Sequence, residues 1–311
     1  MVLRAWRVAI LVGACGAAVA CQGSTSPSAR PRVSSDTSAT PATPPTAADQ
    51  PEPATATTTL APPPSATVGP AASTPSTGPP ASSPKVVSTS GRLAGRVIVI
   101  DPGHNGANGA HPEVITKQVN AGGFTKDCNT TGTATDGGYT ESAFDFAVAT
   151  DLQARLQALG ASVVMTRTDD HGVGPCVDER GLTAQRAHAD LLLSVHADGA
   201  PPGGHGFHVA HAGVIKGYTD STAGPSDGLA VAVRDALAAG GFTPSTYFGQ
   251  QGLITRTDLG TLNRAGVPAV LTELGNMRSP ADAALLQSSA GQARLADALA
   301  AGIVAYLSAA H

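Results

Sequence analysis

Residues 97–104 read Val97-Ile98-Val99-Ile100-Asp101-Pro102-Gly103-His104. The first four are β-branched and the next three are typical turn residues, so the segment predicts a buried strand that stops near Asp101. His104 therefore directly follows the end of a strand. In open α/β sheets, binding sites form beyond the carboxyl ends of the strands, which makes His104 the first candidate site residue.

Strand-like and helix-like segments alternate along the rest of the chain. Apolar residues at helical spacing predict a long helix over 141–159, which Gly160 closes. Further strands are predicted over 162–166, 190–195, 206–210 and 269–272, and further helices over 178–188, 227–239 and 280–309, the last interrupted near 290–291. This order indicates an α/β fold, a single domain with a mostly parallel or mixed central sheet flanked by helices. Residues 105–138 predict a long loop of the kind that is usually functional.

Three more polar residues stand at the edges of these elements. His196 directly follows the predicted strand 190–195, Glu273 directly follows the predicted strand 269–272, and Glu141 opens the long helix. Two histidines and one carboxylate are a known ligand set for catalytic zinc, with a fourth position left for water. A second carboxylate close to such a water suits a general base. Each residue alone has a common structural explanation, so the indication of a metal site comes from their convergence.

Several sequence blocks occur in the order of one known family. They are residues 97–104, Glu141 with its helix, 163–168, 186–190, 194–198 and 265–276. Over residues 96–307 the chain resembles the zinc-dependent N-acetylmuramoyl-L-alanine amidases of the type 3 family, which are bacterial cell-wall hydrolases.

The resemblance implies roles for the four polar residues. His104, Glu141 and His196 would bind one Zn²⁺ ion, and Glu273 would be the catalytic glutamate. The implied reaction is hydrolysis of the peptidoglycan amide between the lactyl group of N-acetylmuramic acid and L-alanine of the stem peptide. A zinc peptidase or deacetylase acting on another cell-wall amide is an alternative, and a non-catalytic wall-binding regulator is another. All four residues are retained, which argues against the regulator.

The chain departs from the family in two places, at Asp198 and in the loop 105–138, which is longer and richer in glycine than in many members. The family usually has Asn where Asp198 stands, next to the site, which bears on substrate contacts rather than on the metal. Some relatives carry an inserted helix that blocks the zinc until a partner removes it. Here residues 209–268 leave room for the helix 227–239 and little else, so we expect an open site that needs no activator protein.

Some further residues are candidates for contact with the substrate. Arg256 could bind a stem-peptide carboxylate through a bidentate pair, although a surface ion pair is an equal alternative. Weaker candidates are the histidines at 111, 205, 208 and 211, whereas the histidine at 188 is expected to pack or to lie at the surface.

Two cysteines remain in the foldable part, Cys128 and Cys176. In an oxidising compartment an even pair favours a disulfide over two free thiols. A cysteine-based metal site would need further thiols or histidines at short spacing, and neither cysteine has them.

The N-terminus predicts export. Arg4 and Arg7 precede a 12-residue apolar run, which is typical of a secretory signal and too short to cross a bilayer stably. Residues 18–21 resemble a bacterial lipobox, so Cys21 is the expected lipidation site of a lipoprotein on the outer face of the cytoplasmic membrane. Residues 12–15 fit the lipobox letters better but would leave a very short signal, and ordinary cleavage with secretion is the other alternative.

The region between signal and domain differs in composition from both. Residues 21–91 hold 15 of the 24 prolines and no aromatic residue, so they predict a disordered Pro/Ser/Thr/Ala-rich tether. The predicted organisation is a signal over 1–20, the tether over 21–91 and a catalytic domain over 92–311.

The formal net charge bears on the class of partner. It is −4 for the whole chain, which gives no basic surface for nucleic acid. We expect peptidoglycan as the partner, membrane contact only through a lipid anchor, and a monomer.

Overall fold

A computed structural model describes residues 91–309. The predicted signal 1–20, the lipidation site Cys21 and the tether 21–91 except for Gly91 lie outside the described residues. Within the described range no helix combines the length and the apolar character that spanning a bilayer requires.

A six-stranded sheet forms the centre of the fold, and a two-stranded hairpin lies apart from it. The strands are β1 (Val97–Pro102), β2 (Gln118–Asn120), β3 (Thr125–Asp127), β4 (Ser162–Met165), β5 (Leu191–Asp198), β6 (His208–Ala212), β7 (Leu253–Arg256) and β8 (Ala269–Asn276). The order across the sheet is β4-β1-β5-β8-β6-β7. The first four strands of that order run parallel, and β6 pairs antiparallel with β8. The predicted α/β fold with a mostly parallel or mixed sheet is confirmed.

Seven helices are present in the described range. They are α1 (Pro112–Ile115), α2 (Glu141–Ala158), α3 (Val177–Arg186), α4 (Ala223–Ala239), α5 (Gly260–Arg264), α6 (Pro280–Leu286) and α7 (Ser289–Ala309). Helix α2 begins where the side chain of Thr140 accepts a hydrogen bond from the Ala143 amide, and it ends before Gly160, whose φ of +94° suits glycine.

Side chains alternate between the two faces of the sheet along each strand, so the fold has two hydrophobic cores, one on each face. Leu191, Leu193 and Val195 of β5 belong to the larger core, together with residues of α2, α4 and α7. Leu192 belongs to a smaller core on the other face, together with residues of α3 and α5. Because successive strand residues point to opposite faces, an uninterrupted apolar run fills both cores. Each fully buried leucine contributes about 1.5–3 kcal/mol relative to exposure.

Several predicted boundaries were wrong in a way that matters for the site. Strands β5 and β8 continue through His196 and Glu273, which were predicted to follow the strands. The backbone ladder depends on pairing rather than on side-chain polarity, so His196 and Glu273 remain paired with each other in register. The break near the last helix falls before Ser289 rather than at 290–291.

Two segments contain short helices and strands that were not predicted from the sequence. The segment 105–138, predicted as a loop, contains a 3-10 turn (Asn108–Ala110), α1 and the β2–β3 hairpin. The segment 209–268 contains β7 and α5 in addition to α4. These elements have three to five residues each, too few to show a periodic pattern.

A disulfide joins Cys128 to Cys176, with their Cα atoms 4.3 Å apart. Cys128 follows the hairpin, and Cys176 is the residue that precedes α3. The amide of Val177 also donates a hydrogen bond to the Cys128 carbonyl at 2.8 Å. The loop that begins at Cys128 is therefore fastened to the start of α3.

Candidate metal centre and active site

The candidate residues meet at the carboxyl ends of neighbouring parallel strands. His104 follows β1, His196 lies near the end of β5, and Glu273 lies opposite His196 on β8. Glu141 reaches the same place from the first turn of α2. All four residues line one cleft of about 380 Å³.

One carboxylate oxygen connects the two histidines. Oε1 of Glu141 lies 3.0 Å from Nε2 of His104 and 2.9 Å from Nδ1 of His196. A fourth residue, Asp145, completes a group whose ligand atoms all lie within 4.8 Å of one another. Asp145 was not among the residues predicted from sequence. It stands four residues after Glu141 on the same helix, so the i, i+4 spacing was a signal that could have found it.

Backbone amides hold the Glu141 carboxylate. The amide of Thr133 donates to Oε2 at 2.9 Å, and the amide of Ala197 donates to Oε1 at 3.3 Å. The Glu141 amide donates in turn to the Thr133 carbonyl at 2.9 Å. These hydrogen bonds fix the position of the Glu141 side chain.

His104 sits in an unusual backbone conformation. Its φ is +52°, a region that non-glycine residues rarely adopt and that recurs at functional sites. The Thr130 carbonyl lies 3.1 Å from Nδ1. With the proton on Nδ1, Nε2 is the nitrogen that can bind a metal, as is usual for histidine ligands.

Gly103 permits the close approach of the two histidines. A Cβ atom at this position would lie 2.1 Å from Cε1 of His196, which is shorter than any real contact. The ring planes of His104 and His196 are nearly perpendicular, with centroids 4.9 Å apart. Any larger residue at 103 would displace His196.

Two buried arginines support the turn that presents His104. Nη1 of Arg180 donates to Oδ1 of Asp101, and Nη2 donates to the His104 carbonyl. Arg167 donates to the carbonyls of Pro102 and Gly103. The sequence reading missed these roles, because both arginines reach the turn from segments more than 60 residues away.

The electrostatics of the ligand group favour a cation. Burial would raise the pKa of Glu141, but the adjacent His104 and His196 lower it strongly. Burial lowers the pKa of His196, which keeps that ring neutral. Burial and the Glu141 charge raise the pKa of Asp145, and neither carboxylate oxygen of Asp145 has a hydrogen-bond partner in the described part of the chain. A buried carboxyl with no hydrogen-bond partner among the described residues, 4.0 Å from Nδ1 of His196 and close to a fixed carboxylate, fits a metal ion.

Glu273 is buried beside this group. Burial raises the pKa of Glu273 well above its ordinary value, and the Glu141 and Asp198 charges add to the increase, while Arg256 opposes it. Its Oε2 atom has no hydrogen-bond partner among residues 91–309. Such a carboxyl can accept a proton readily, which is the property of a general base.

A second, smaller pocket of about 280 Å³ adjoins the cleft. Glu273 and Asp198 line both. The other residues that line the smaller pocket are Ala200, His208, Tyr247, Phe248 and Arg256.

The surroundings of Arg256 include both an ion pair and a pocket. Its Nε and Nη2 atoms pair with Asp258 at 2.7 and 2.6 Å, so it does form a surface ion pair. The same side chain lines the smaller pocket beside Glu273 and lies over the Phe248 ring. The Nη1 atom takes no part in the pair with Asp258.

The other histidines lie in different surroundings. His208 is buried against the smaller pocket, and His211 is buried near Thr255, with 3.1 Å between its Nε2 and the threonine hydroxyl. His111 is half-exposed and pairs with Glu113. His205 is in the loop before β6, and His188 follows α3.

Comparison with known proteins gives consistent results. A family profile described as N-acetylmuramoyl-L-alanine amidase matches residues 98–305. The chain is 43% identical over 221 residues to the N-acetylmuramoyl-L-alanine amidase Rv3717 of Mycobacterium tuberculosis, covering 71% of this chain and 90% of that protein.

Solved structures show the same similarity. The crystal structure of the N-acetylmuramyl-L-alanine amidase Ami1 from Mycobacterium smegmatis has a TM-score of 0.66 and 44% identity, covering 70% of this chain and 99% of that one. The amidase AmiC2 of Nostoc punctiforme has a TM-score of 0.52 and 25% identity, covering 69% and 99%.

Proposed function

The chain belongs to the N-acetylmuramoyl-L-alanine amidase family and is a peptidoglycan hydrolase, and from that premise we propose that it works with one zinc ion. The proposed ligands are His104, Glu141 and His196, and the proposed general base is Glu273. The supporting observation is that Oε1 of Glu141 lies within 3.0 Å of a ring nitrogen of each histidine.

The proposed division of roles follows from the donor set. Two histidines and one carboxylate match the protein ligands of catalytic zinc sites. When bound, zinc polarises the substrate carbonyl and lowers the pKa of a water molecule. The carbonyl of Thr130 orients the His104 ring, and the amides of Thr133 and Ala197 orient Glu141.

Glu273 is proposed to move the proton. It accepts a proton from the attacking water and delivers it to the alanine nitrogen as the carbon–nitrogen bond breaks. The products are a lactyl carboxylate on the glycan and a free amino end on the stem peptide. The buried position of Glu273 supports this role, because burial raises the pKa of the carboxyl group and the carboxylate therefore accepts a proton more readily.

We further propose the organisation expected from the sequence. Residues 1–20 export the chain, Cys21 carries the lipid of a membrane-anchored lipoprotein, residues 21–91 are a tether, and 92–311 form the catalytic domain. The Cys128–Cys176 disulfide supports an oxidising compartment outside the cytoplasm. Action in the cell envelope follows from a peptidoglycan substrate. A chain that starts at Arg92 should fold, bind one zinc ion and retain activity.

Substrate access is proposed to need no activator protein and no second subunit. The segment 209–268 contributes β7 and α5 to the walls of the two pockets, at Arg256 and at residues 260–261. Arg256 is proposed to contact a carboxylate of the stem peptide. Recognition would then reside in this one domain.

Product analysis tests the proposed reaction. Purified peptidoglycan is digested with the purified chain, with and without a zinc chelator, and the products are examined by mass spectrometry. We expect intact stem peptides with a free L-alanine amino end, released only by the zinc-loaded protein. Cleavage within the peptide would favour a peptidase, and loss of acetyl groups from the glycan would favour a deacetylase.

A further inference from the structure

The smaller pocket shares one wall with the metal cleft. Asp198 and Glu273 line both spaces, so the two residues stand between them. Glu273 pairs in register with His196 on one side and with His208 on the other. The cleft with the metal group and the smaller pocket therefore lie on opposite sides of the catalytic carboxyl.

Polar atoms converge on this pocket. The Tyr247 hydroxyl donates a hydrogen bond to Oδ2 of Asp198 at 3.1 Å. Nδ1 of His208 lies 3.9 Å from the same oxygen, is buried, and has no hydrogen-bond partner among the residues that the structure describes. Burial lowers the pKa of His208, although the Asp198 charge opposes this, and a lower pKa favours the neutral ring. The Asp198 carboxylate thus provides negative charge at the end of the pocket nearest Glu273.

The reaction creates a charge at that same end. Hydrolysis breaks the carbon–nitrogen bond, puts the water oxygen on the lactyl carbonyl carbon and a proton on the alanine nitrogen. At neutral pH the resulting carboxylic acid loses a proton and the amine gains one. The uncharged amide nitrogen of the substrate therefore becomes an ammonium group in the released peptide.

We propose that Asp198, oriented by Tyr247, binds the ammonium end of the stem peptide in the smaller pocket. This inference rests on the proposed function, since it requires the amide nitrogen to lie at Glu273. Asp198 acts on the leaving group after its nitrogen is protonated and is separate from the metal ligands.

Arg256 adds a positive charge to the lining of the smaller pocket. Asp198 is negative beside Glu273, and Arg256 contributes a guanidinium to the same pocket. A dipeptide with a free amino end carries its positive charge at one end and a carboxylate one residue further on. The pocket holds one negative and one positive side chain, which complement the two charges of the peptide, and Phe248 and Tyr247 add ring surface to the same lining.

Calorimetry with two dipeptides tests the inference. The probes are L-alanyl-D-glutamate with a free amino end and its N-acetyl derivative, which lacks the positive charge. We expect the zinc-loaded wild-type protein to bind the free peptide about tenfold more tightly, as a charged hydrogen bond typically provides. The Asp198→Asn substitution should remove this preference, because it should lower the affinity for the peptide with the free amino end and leave the affinity for the N-acetyl peptide unchanged. Asp235→Asn, a carboxylate change on the exposed side of α4, should keep the preference.

The outcomes separate the inference from the function. Equal affinity of the wild-type protein for both peptides overturns the inference, as does an unchanged preference in Asp198→Asn. If Asp198→Asn fails to fold, the affinities of the wild-type protein for the two peptides still test the inference, because equal affinities would overturn it. Failure to release stem peptides from peptidoglycan would instead overturn the proposed function.

Discussion

Asp101 and Arg180 form a buried ion pair, with 2.8 Å between Oδ1 of the aspartate and Nη1 of the arginine. Their side chains are 1% and 2% exposed. Arg180 also donates to the carbonyls of Pro102 and His104, so the pair ties α3 to the turn after β1. The conformation that presents His104 thus depends on a charge pair beneath it.

Asp101→Asn should destabilise the protein by about 3–5 kcal/mol, because the substitution leaves the Arg180 charge buried without its partner. Urea unfolding at pH 7 measures the loss. Asp190→Asn removes the negative charge from the quarter-exposed pair of Asp190 with Arg96 and should cost about 1 kcal/mol or less. Equal losses in the two variants would contradict the assigned importance of the buried pair.

The same ion pair makes the free energy of unfolding depend on pH in the acidic range. Burial would raise the pKa of Asp101, but the Arg180 charge and hydrogen bonds from Ser194 and Thr166 lower it below 3.8. Its contribution is therefore complete above about pH 4 and is lost as pH falls through the lowered pKa. The stability difference between the wild-type protein and Asp101→Asn should narrow below pH 4. A constant difference down to pH 2 would contradict this.

Zinc binding should depend on both histidines of the ligand group. His104→Ala and His196→Ala each leave two proposed protein ligands, which hold the ion poorly. Elemental analysis after dialysis should find zinc in the wild-type protein and little in either variant. His111→Ala, which changes a half-exposed histidine, is the matched control and should retain zinc. Full occupancy in His104→Ala or His196→Ala would reject the ligand assignment.

Glu273→Gln separates the general base from the ligands. Glutamine has nearly the same shape but cannot accept the proton, and general base catalysis contributes typically about 10²–10⁴-fold. The variant should keep its zinc and lose at least ~100-fold in the rate of stem-peptide release. Near-normal turnover would assign the base to another residue, and loss of zinc would make Glu273 a ligand.

The acid side of the pH–rate profile should respond to Asp198. Glu273 must be deprotonated to act as a base, so activity rises with pH through its pKa, which burial, Glu141 and Asp198 raise above 4.5. Asp198→Asn removes one negative neighbour and should lower that pKa. The rise of kcat/KM should then move to lower pH. A shift in the opposite direction would contradict the electrostatic account.

The disulfide should stabilise the fold and the cleft wall. In the chain-entropy model a closed loop of this length contributes on the order of 4 kcal/mol, an upper value in practice. Replacing Cys128 and Cys176 together with alanine should lower the free energy of unfolding, measured in urea under non-reducing conditions. Thiol labelling of the exported protein should find no free thiol at either position, and two reactive thiols would refute the pairing.

The sequence was informative where local pattern and position coincide. The aliphatic strands β1 and β5 were predictable because their residues fill the two cores, and His104 follows a recognisable turn. The roles of Arg167 and Arg180 were not predictable, because their partners lie more than 60 residues away along the chain. The smaller pocket was not predictable for the same reason. Asp198, Tyr247 and Arg256 lie far apart along the chain or in different elements, and they come together only through the order of the strands in the sheet, which the periodicity of the sequence does not encode.

The placement of Glu273 within a paired strand bears on how such an enzyme can evolve. The proposed base, Glu273, and one proposed ligand, His196, belong to the hydrogen-bonded sheet, whereas other parts of the walls of the two pockets come from residues in connecting segments, such as Thr131 and Phe248. Connecting segments tolerate substitution better than sheet positions do. Mutations in them can alter which peptide or glycan is accepted while the reacting groups stay in place. Lineages that share this reaction can therefore diverge in substrate preference without passing through inactive forms.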